Sequence, residues 1–383
     1  MREPAAAALA LIVCVAPFAT PARGELPDGR GVLLPLQDRV GRADLAELAE
    51  TLLRRELSAH ADLVEAGSAR AVLRSMRVRD ASNEAPERLA ELAGQLEAEW
   101  FFLPALHEAT AGREPQREDG GAAGDQRIVD AGDTPQFVLS ARVLRSDSPE
   151  LWWAGFDGVS GRDGQRAFGL GEIETLKDLM QSTVKELVAR AVEPREARLR
   201  PRLRPRGEGY LRAAGAPSSP ERVAVIPMDS VAARDASASA EVATAALLAA
   251  LEDFGFKVLV PGLVQAIRQE SGQIQHGAVS RAEWEALARE AGASWVATGT
   301  VETYRRGQGR TPDPWVAFSI RFLDTGDGRI GWSDGLERTG RDTGSAFDRD
   351  RIYSTGGLTY EMMRALFGEL RVGSGAVGAS RGN

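Results

Sequence analysis

The sequence predicts an α/β (α+β) fold made of two tandem β-α-β-α-α-β-β-β-α units, each a mixed sheet packed with helices. Three observations predict it. An apolar run opening on tryptophan occurs twice, as "EWFFLPALH" (residues 99–107) and "SWVATGTVE" (residues 294–302). An amphipathic stretch leads into each run: Leu89, Leu92, Ala93 and Leu96 in one copy, Trp284, Leu287, Ala288 and Ala291 in the other, spaced i, i+3, i+4, i+7. Then "PQFVLSARVLRSDSPELWWAG" (residues 135–155) aligns without a gap with "PWVAFSIRFLDTGDGRIGWSD" (residues 314–334). Pro135/Pro314, Ser140/Ser319, Arg142/Arg321, Leu144/Leu323 and Trp153/Trp332 recur in register.

The other elements follow in order. Each unit opens on an apolar run broken by proline, "GVLLPLQD" with Pro35 and "VAVIPMDS" with Pro227. A helical stripe comes next, Leu45, Leu48, Ala49, Leu52, Leu53 and Leu57 in the first unit, Val242, Ala245, Leu248, Ala249 and Leu251 in the second. Short strands are expected at residues 62–66 and 256–261, and Gly67 and Gly262 then open a second helix. In the last strands Phe318, Ile320 and Phe322 alternate with Ser319 and Arg321, which gives one buried and one polar face. "DTGDG" is the hairpin turn between them. "SGRDGQRAF" (residues 160–168) meets "TGRDTGSAF" (residues 339–347), and a final helix closes each unit near residues 179–192 and 358–370.

This sets the domain boundaries: a leader at 1–24, a first unit at 25–192, a linker at 193–220, a second unit at 221–370 and a flexible tail at 371–383. The leader reads as an export signal. Arg2 precedes the apolar run "AAAALALIVCVA", which is too short to span a bilayer, and small residues place cleavage after Ala22 or Gly24. A membrane anchor and lipidation at Cys14 are the alternatives. Cys14 is the one cysteine, so no internal disulfide forms. The linker is rich in Pro, Arg and Gly and has no apolar periodicity, so few contacts are expected across it and the units should fold separately. Residues 108–134 form a polar loop expected to be disordered.

A net charge of −8 gives no support to a nucleic-acid partner. The three histidines, His60, His107 and His276, have no metal-ligand spacing, and no cofactor motif stands in its required context. "GSGAVG" and "GASRG" match nucleotide and nucleophile patterns only inside the C-terminal tail. "FLDTG" at Asp324 and "RDTG" at Asp342 copy an aspartic-protease signature, yet the first falls in a hairpin turn and the second lacks the preceding apolar strand. Trp153 and Trp332 are expected in the core. Two features remain as candidate sites. The repeated "GRD", Gly161, Arg162 and Asp163 with Gly340, Arg341 and Asp342, is either a capped turn or a partner-binding loop displayed twice. The linker holds seven arginines from Arg195 to Arg212; of these Arg198, Arg200, Arg202, Arg204 and Arg206 are either a solvated spacer or a contact with an anionic membrane surface.

"RVAVIPMDS", "GFKVLVPGLVQAIRQ", "AGASWVATGTVE" and "FSIRFLDTGDGRIGWSD" together resemble the family of the curli-secretion channel CsgG. The fold is similar to the N-terminal domain of TolB and to outer-membrane lipoprotein activators of peptidoglycan synthases. The resemblance covers residues 222–370 well and the first unit as a diverged copy, and its motifs describe strands and turns. It implies an exported, non-enzymatic binding or assembly protein in the periplasm or at the outer-membrane periphery. That role serves secretion or surface-structure assembly, with other envelope proteins as partners and a homo-oligomer as one form. A regulator of peptidoglycan synthases is the alternative; an aspartic-type hydrolase is the rival from another class. Pore-forming hairpins need roughly 9–11 residues of alternating apolar character per strand. The insertion loops at 108–134 and 304–314 are charged or glycine-rich and carry none.

Overall fold

Proline cuts the first strand of each unit in two, and both pieces stay on the same neighbour. In the computed structural model, which describes residues 26–111, 134–163, 172–193, 217, 219–232, 236–271, 279–307, 313–343 and 351–377, the first unit runs β1 (Gly31–Leu33), β2 (Gln37–Asp38), α1 (Ala43–Leu57), α2 (Ala66–Ser75), α3 (Pro86–Leu96), β3 (Trp100–Thr110), β4 (Gln136–Arg145), β5 (Leu151–Ser160) and α4 (Leu176–Val192). The second runs β6 (Arg222–Val225), β7 (Asp229–Ser230), α5 (Ala236–Asp253), β8 (Lys257–Val258), α6 (Pro261–Glu270), α7 (Arg281–Ala291), β9 (Trp295–Arg305), β10 (Trp315–Asp324), β11 (Ile330–Thr339) and α8 (Thr355–Val377). The leader, the arginine-rich part of the linker and residues 112–133 lie outside the described residues.

The two sheets share one topology. Sheet 1 is ordered β1-β3-β4-β5 with β2 also on β3; sheet 2 is ordered β8-β6-β9-β10-β11 with β7 also on β9. The tryptophan strands occupy the same place: Gly31 pairs in parallel with Trp100, and Val223 with Trp295. The one missing element is the strand expected at 62–66, which shrinks to a single bridge between Gly31 and Leu63. Glu65 explains it. Its carboxylate accepts from Gly67 N and Ser68 N at 3.0 Å, capping α2, and this local bond competes with strand extension.

Two helix expectations are corrected. In α7 the buried stripe is Glu283, Ala286, Leu287 and Ala291, turned by a residue from the expected one. Glu283 is fully buried because Ser280 N (2.7 Å) and Arg268 Nε (3.0 Å) hold its carboxylate. Trp284 instead covers the turn at Gly328. α8 continues to Val377, beyond the boundary drawn at 370. Extending a formed helix through a glycine costs only about 1 kcal/mol relative to alanine.

Each unit has a core of its own, and a third, larger core is shared between them. α1 and α4 cover one face of sheet 1 with Leu53, Trp100, Phe102 and Trp153 in their core. α6 and α7 cover the far face of sheet 2 through Ile226, Leu287 and Val296. Between the sheets lie α5 and α8, whose core joins Phe101, Val138 and Phe156 of sheet 1 to Trp295, Phe318 and Phe322 of sheet 2. α2 and α3 complete that layer. The cause is α5: Val242, Ala243, Ala246, Leu247, Ala249, Ala250 and Leu251 are all buried, and a helix apolar all round must be covered on both sides. The second unit therefore docks its helix pair onto the back of the first unit's sheet, head to tail.

Candidate functional site

The two GRD turns are copies of one device. Gly161 N donates to Pro135 O and Gly340 N to Pro314 O, each at 2.9 Å. The aspartate reaches back over the turn: Asp163 accepts from Ser160 N and Asp342 from Thr339 N, each at 2.7 Å. A Cβ on Gly161 would stand 2.1 Å from Ile173 O, and one on Gly340 2.1 Å from Ile352 O. Glycine recurs because the chain passes there on its way to the last helix. The arginines differ. Arg341 pairs with Asp313 at 2.7 Å on the surface. Arg162 pairs with Glu172 and lies 5.9 Å from the ring centroid of Tyr353 in the other unit.

The first GRD turn thus belongs to the seam between units. The second carboxylate oxygen of Asp163 accepts from Tyr353 N at 2.7 Å. Asp163→Ala is expected to cost about 2–3 kcal/mol, because it strands two backbone donors, one of them in the other unit. Asp342→Ala, whose carboxylate among the described residues serves only its own turn, is expected to cost about 1 kcal/mol. Urea midpoints of the two variants check the difference; equal losses would remove Asp163 from the seam.

Close backbone approach brings the units together. A Cβ on Gly158 in β5 would lie 2.4 Å from Gly357 N, and one on Gly357 would lie 2.2 Å from Gly158 O. Beside this contact Arg190 pairs with Asp157 at 3.1 Å, and Tyr360 donates to Asp253 at 2.5 Å. Burial, with Asp253 alongside, pushes the Tyr360 hydroxyl well up, so it stays a donor. At the other end Arg222 pairs with Glu150 at 2.7 Å, and Val260 N donates to Pro149 O. The tip of the β4–β5 hairpin therefore shields the open edge beside β8.

The seam also forms a half-open cavity of about 620 Å³. Its first wall is sheet 1, where Ser140 and Arg142 stand two residues apart on β4 and hence on one face. Ala105 is opposite Ser140 and Ala154 opposite Arg142, so small side chains leave the room. Its second wall is the β6–β7 turn with α5 and α6. His107 Nε2 lies 2.8 Å from Ser140 Oγ. This pair has the spacing of a nucleophile and base but not the electrostatics. Burial, with Arg39 and Arg142 adding to it, lowers the His107 pKa to about 3. An imidazolium formed by taking the serine proton would sit beside those two guanidiniums, and among the described residues the buried Nδ1 has no hydrogen-bond partner to steady it. Sequence reading passed over Arg142; its signal was an arginine inside an apolar strand, repeated at Arg321.

The remaining sequence candidates are not brought together. Asp324 binds Gly326 N within the hairpin turn, and Asp342 follows the far end of β11. Trp315 pairs with Thr339, so the two aspartates stand at opposite ends of a ten-residue hairpin, roughly 30 Å apart at the rise of a strand. They form no dyad. Trp153 and Trp332 are buried in the two helix-side cores. Arg198, Arg200, Arg202, Arg204 and Arg206 lie outside the described residues. Among the described residues no helix is long and apolar enough to cross a membrane, and no group of His, Cys, Asp and Glu could hold a metal.

The sequence matches no family model and no curated relative, so the CsgG-like reading stays a resemblance. Among solved structures it is similar to a PelC dodecamer from Paraburkholderia phytofirmans, at 17% identity over 41% of this chain and 95% of that one, with a TM-score of 0.27. Lipoprotein GNA1162 from Neisseria meningitidis is 19% identical over 40% of this chain and 99% of that one, at a TM-score of 0.28. The LpoB C-terminal domain from Escherichia coli is 17% identical over 33% and 87%, at 0.24. Likeness at this level leaves function open.

Proposed function

We propose that the chain is an exported, non-enzymatic binding and assembly protein of the cell envelope, supporting secretion or the building of a surface structure. The observation that carries the binding reading is the seam. It joins two copies of one unit around a ligand-sized cavity whose polar groups are set for holding rather than for proton transfer. The export reading rests on the leader and on the absence of cysteine beyond Cys14. Envelope proteins are the partners in this reading, and the linker arginines supply a contact with an anionic membrane surface. A homo-oligomer would have to use surfaces other than a repeated seam. The positions matching Gly356 and Gly357 in the first unit are Lys177 and Asp178, and the position matching Gly158 in the second is Glu337. A third unit would bring charges where the seam needs bare backbone.

Fractionation of cells expressing a C-terminally tagged chain tests this. The chain is expected in the envelope fraction, shortened to begin after Ala22 or Gly24, and crosslinking there should capture envelope proteins. A full-length chain in the cytosol would overturn the proposal.

A further inference from the structure

We propose that the cavity in the seam binds a small carboxylate with an apolar body, and that the Arg142 guanidinium is its charge partner. Resting on the binding reading above, this names the ligand class. Arg142 is partly buried and, among the described residues, makes no hydrogen bond or ion pair. The other cavity arginines are engaged. Arg39 meets Asp80 at 3.3 Å and Glu241 at 3.5 Å, and Arg268 meets Glu283 at 3.0 Å. Burial, with Asp80 partly offsetting it, lowers the Arg142 pKa to about 10. A guanidinium held this way without a partner carries a desolvation cost that a bound anion relieves.

The surroundings narrow the anion. A planar fork of donors matches a carboxylate, and the Ser140 hydroxyl stands on the same face of β4. The first turn of α5, at Ala236 and Ser237, lines the cavity, and the N-terminal end of a helix favours negative charge. Asp229 and Glu241 also line it, and Asp229 has no partner among the described residues. Those carboxylates oppose a second negative charge on the ligand, which disfavours a phosphate dianion. The rest of the wall, with Ala154, Ile226, Met228 and Leu248, takes an aliphatic body. The volume is that of an ordinary small-molecule site.

Calorimetric titration of the purified chain with acetate, hexanoate and decanoate, and separately with inorganic phosphate, tests the site. Hexanoate or decanoate should saturate one site per chain, more tightly than acetate and more tightly than phosphate. Arg142→Gln should weaken that binding roughly 10–100-fold, the range of a charge-assisted hydrogen bond. Arg142→Lys, which keeps the charge but not the fork, should fall between, and it serves alone if circular dichroism shows Arg142→Gln unfolded. No saturable carboxylate binding, binding unchanged in the variants, or tighter binding of phosphate would each overturn the proposal. Because the titration is run in buffer, its failure leaves the envelope location standing, and a cytosolic chain would leave the site standing.

Discussion

Gly158→Ala should destabilise the protein by about 3 kcal/mol, the upper part of the range for overpacking, although the same change is harmless in most strands. The new methyl would meet Gly357 N at 2.4 Å and the backbone of Gly356 at 2.7 Å, and backbone at the start of a helix cannot rotate away. α8 must lift off sheet 1, and the loss spreads to Phe156, whose ring lies 5.5 Å from that of Tyr360. Gly94→Ala is the matched control. Gly94 lies inside α3 with nothing within 4 Å of a new Cβ, so alanine there should stabilise by about 0.5–1 kcal/mol through helix propensity alone. Thermal midpoints of the two variants should move in opposite directions. A Gly158→Ala protein as stable as the parent would mean that the two units do not meet at this contact.

Cutting the linker should not separate the units. Trypsin acting between Arg195 and Arg212 is expected to yield two fragments that co-elute as one species, and the intact chain should unfold in a single calorimetric transition. The physical basis is the shared layer: α5 is apolar on the side that faces sheet 1 as well as on the side that faces its own sheet. Separation would expose both Phe156 and Val138 on one partner and the outer side of α5 on the other, at roughly 25 cal/mol for each Å² uncovered. Two well-resolved transitions, or fragments that elute apart, would show that the seam is a weak contact.

Much of the fold was legible because it depends on local periodicity. Pro35 and Pro227, the stripe of α3, the alternation of β10 and the turn at Asp324 each appear where pattern and turn chemistry require them. The site was less legible. Arg142 was visible as half of a repeated pair with Arg321, but nothing in sequence tells which arginine finds a partner. Arg321 is engaged and Arg142 is not. The GRD turns were found as a repeat, and their shared hydrogen bonds answer to a shared local geometry. That only the first also bonds Tyr353, 190 residues away, is a property of docking.

The sequence by itself determined that the chain holds two copies of one unit, since strand and helix periods and turn residues act over a few neighbours. It also determined that no internal disulfide forms, because Cys14 is the one cysteine. Only the tertiary structure decided that the copies share a core. A stripe counted along α5 names the residues that want burial but not what buries them, and the all-round apolar character of that helix becomes a contact only when two sheets close on it. The cavity arises the same way. Ala105 and Ala154 are ordinary small residues in sequence, and they make room beneath the seam only because β3, β4 and β5 set them beside Ser140 and Arg142, facing the other unit.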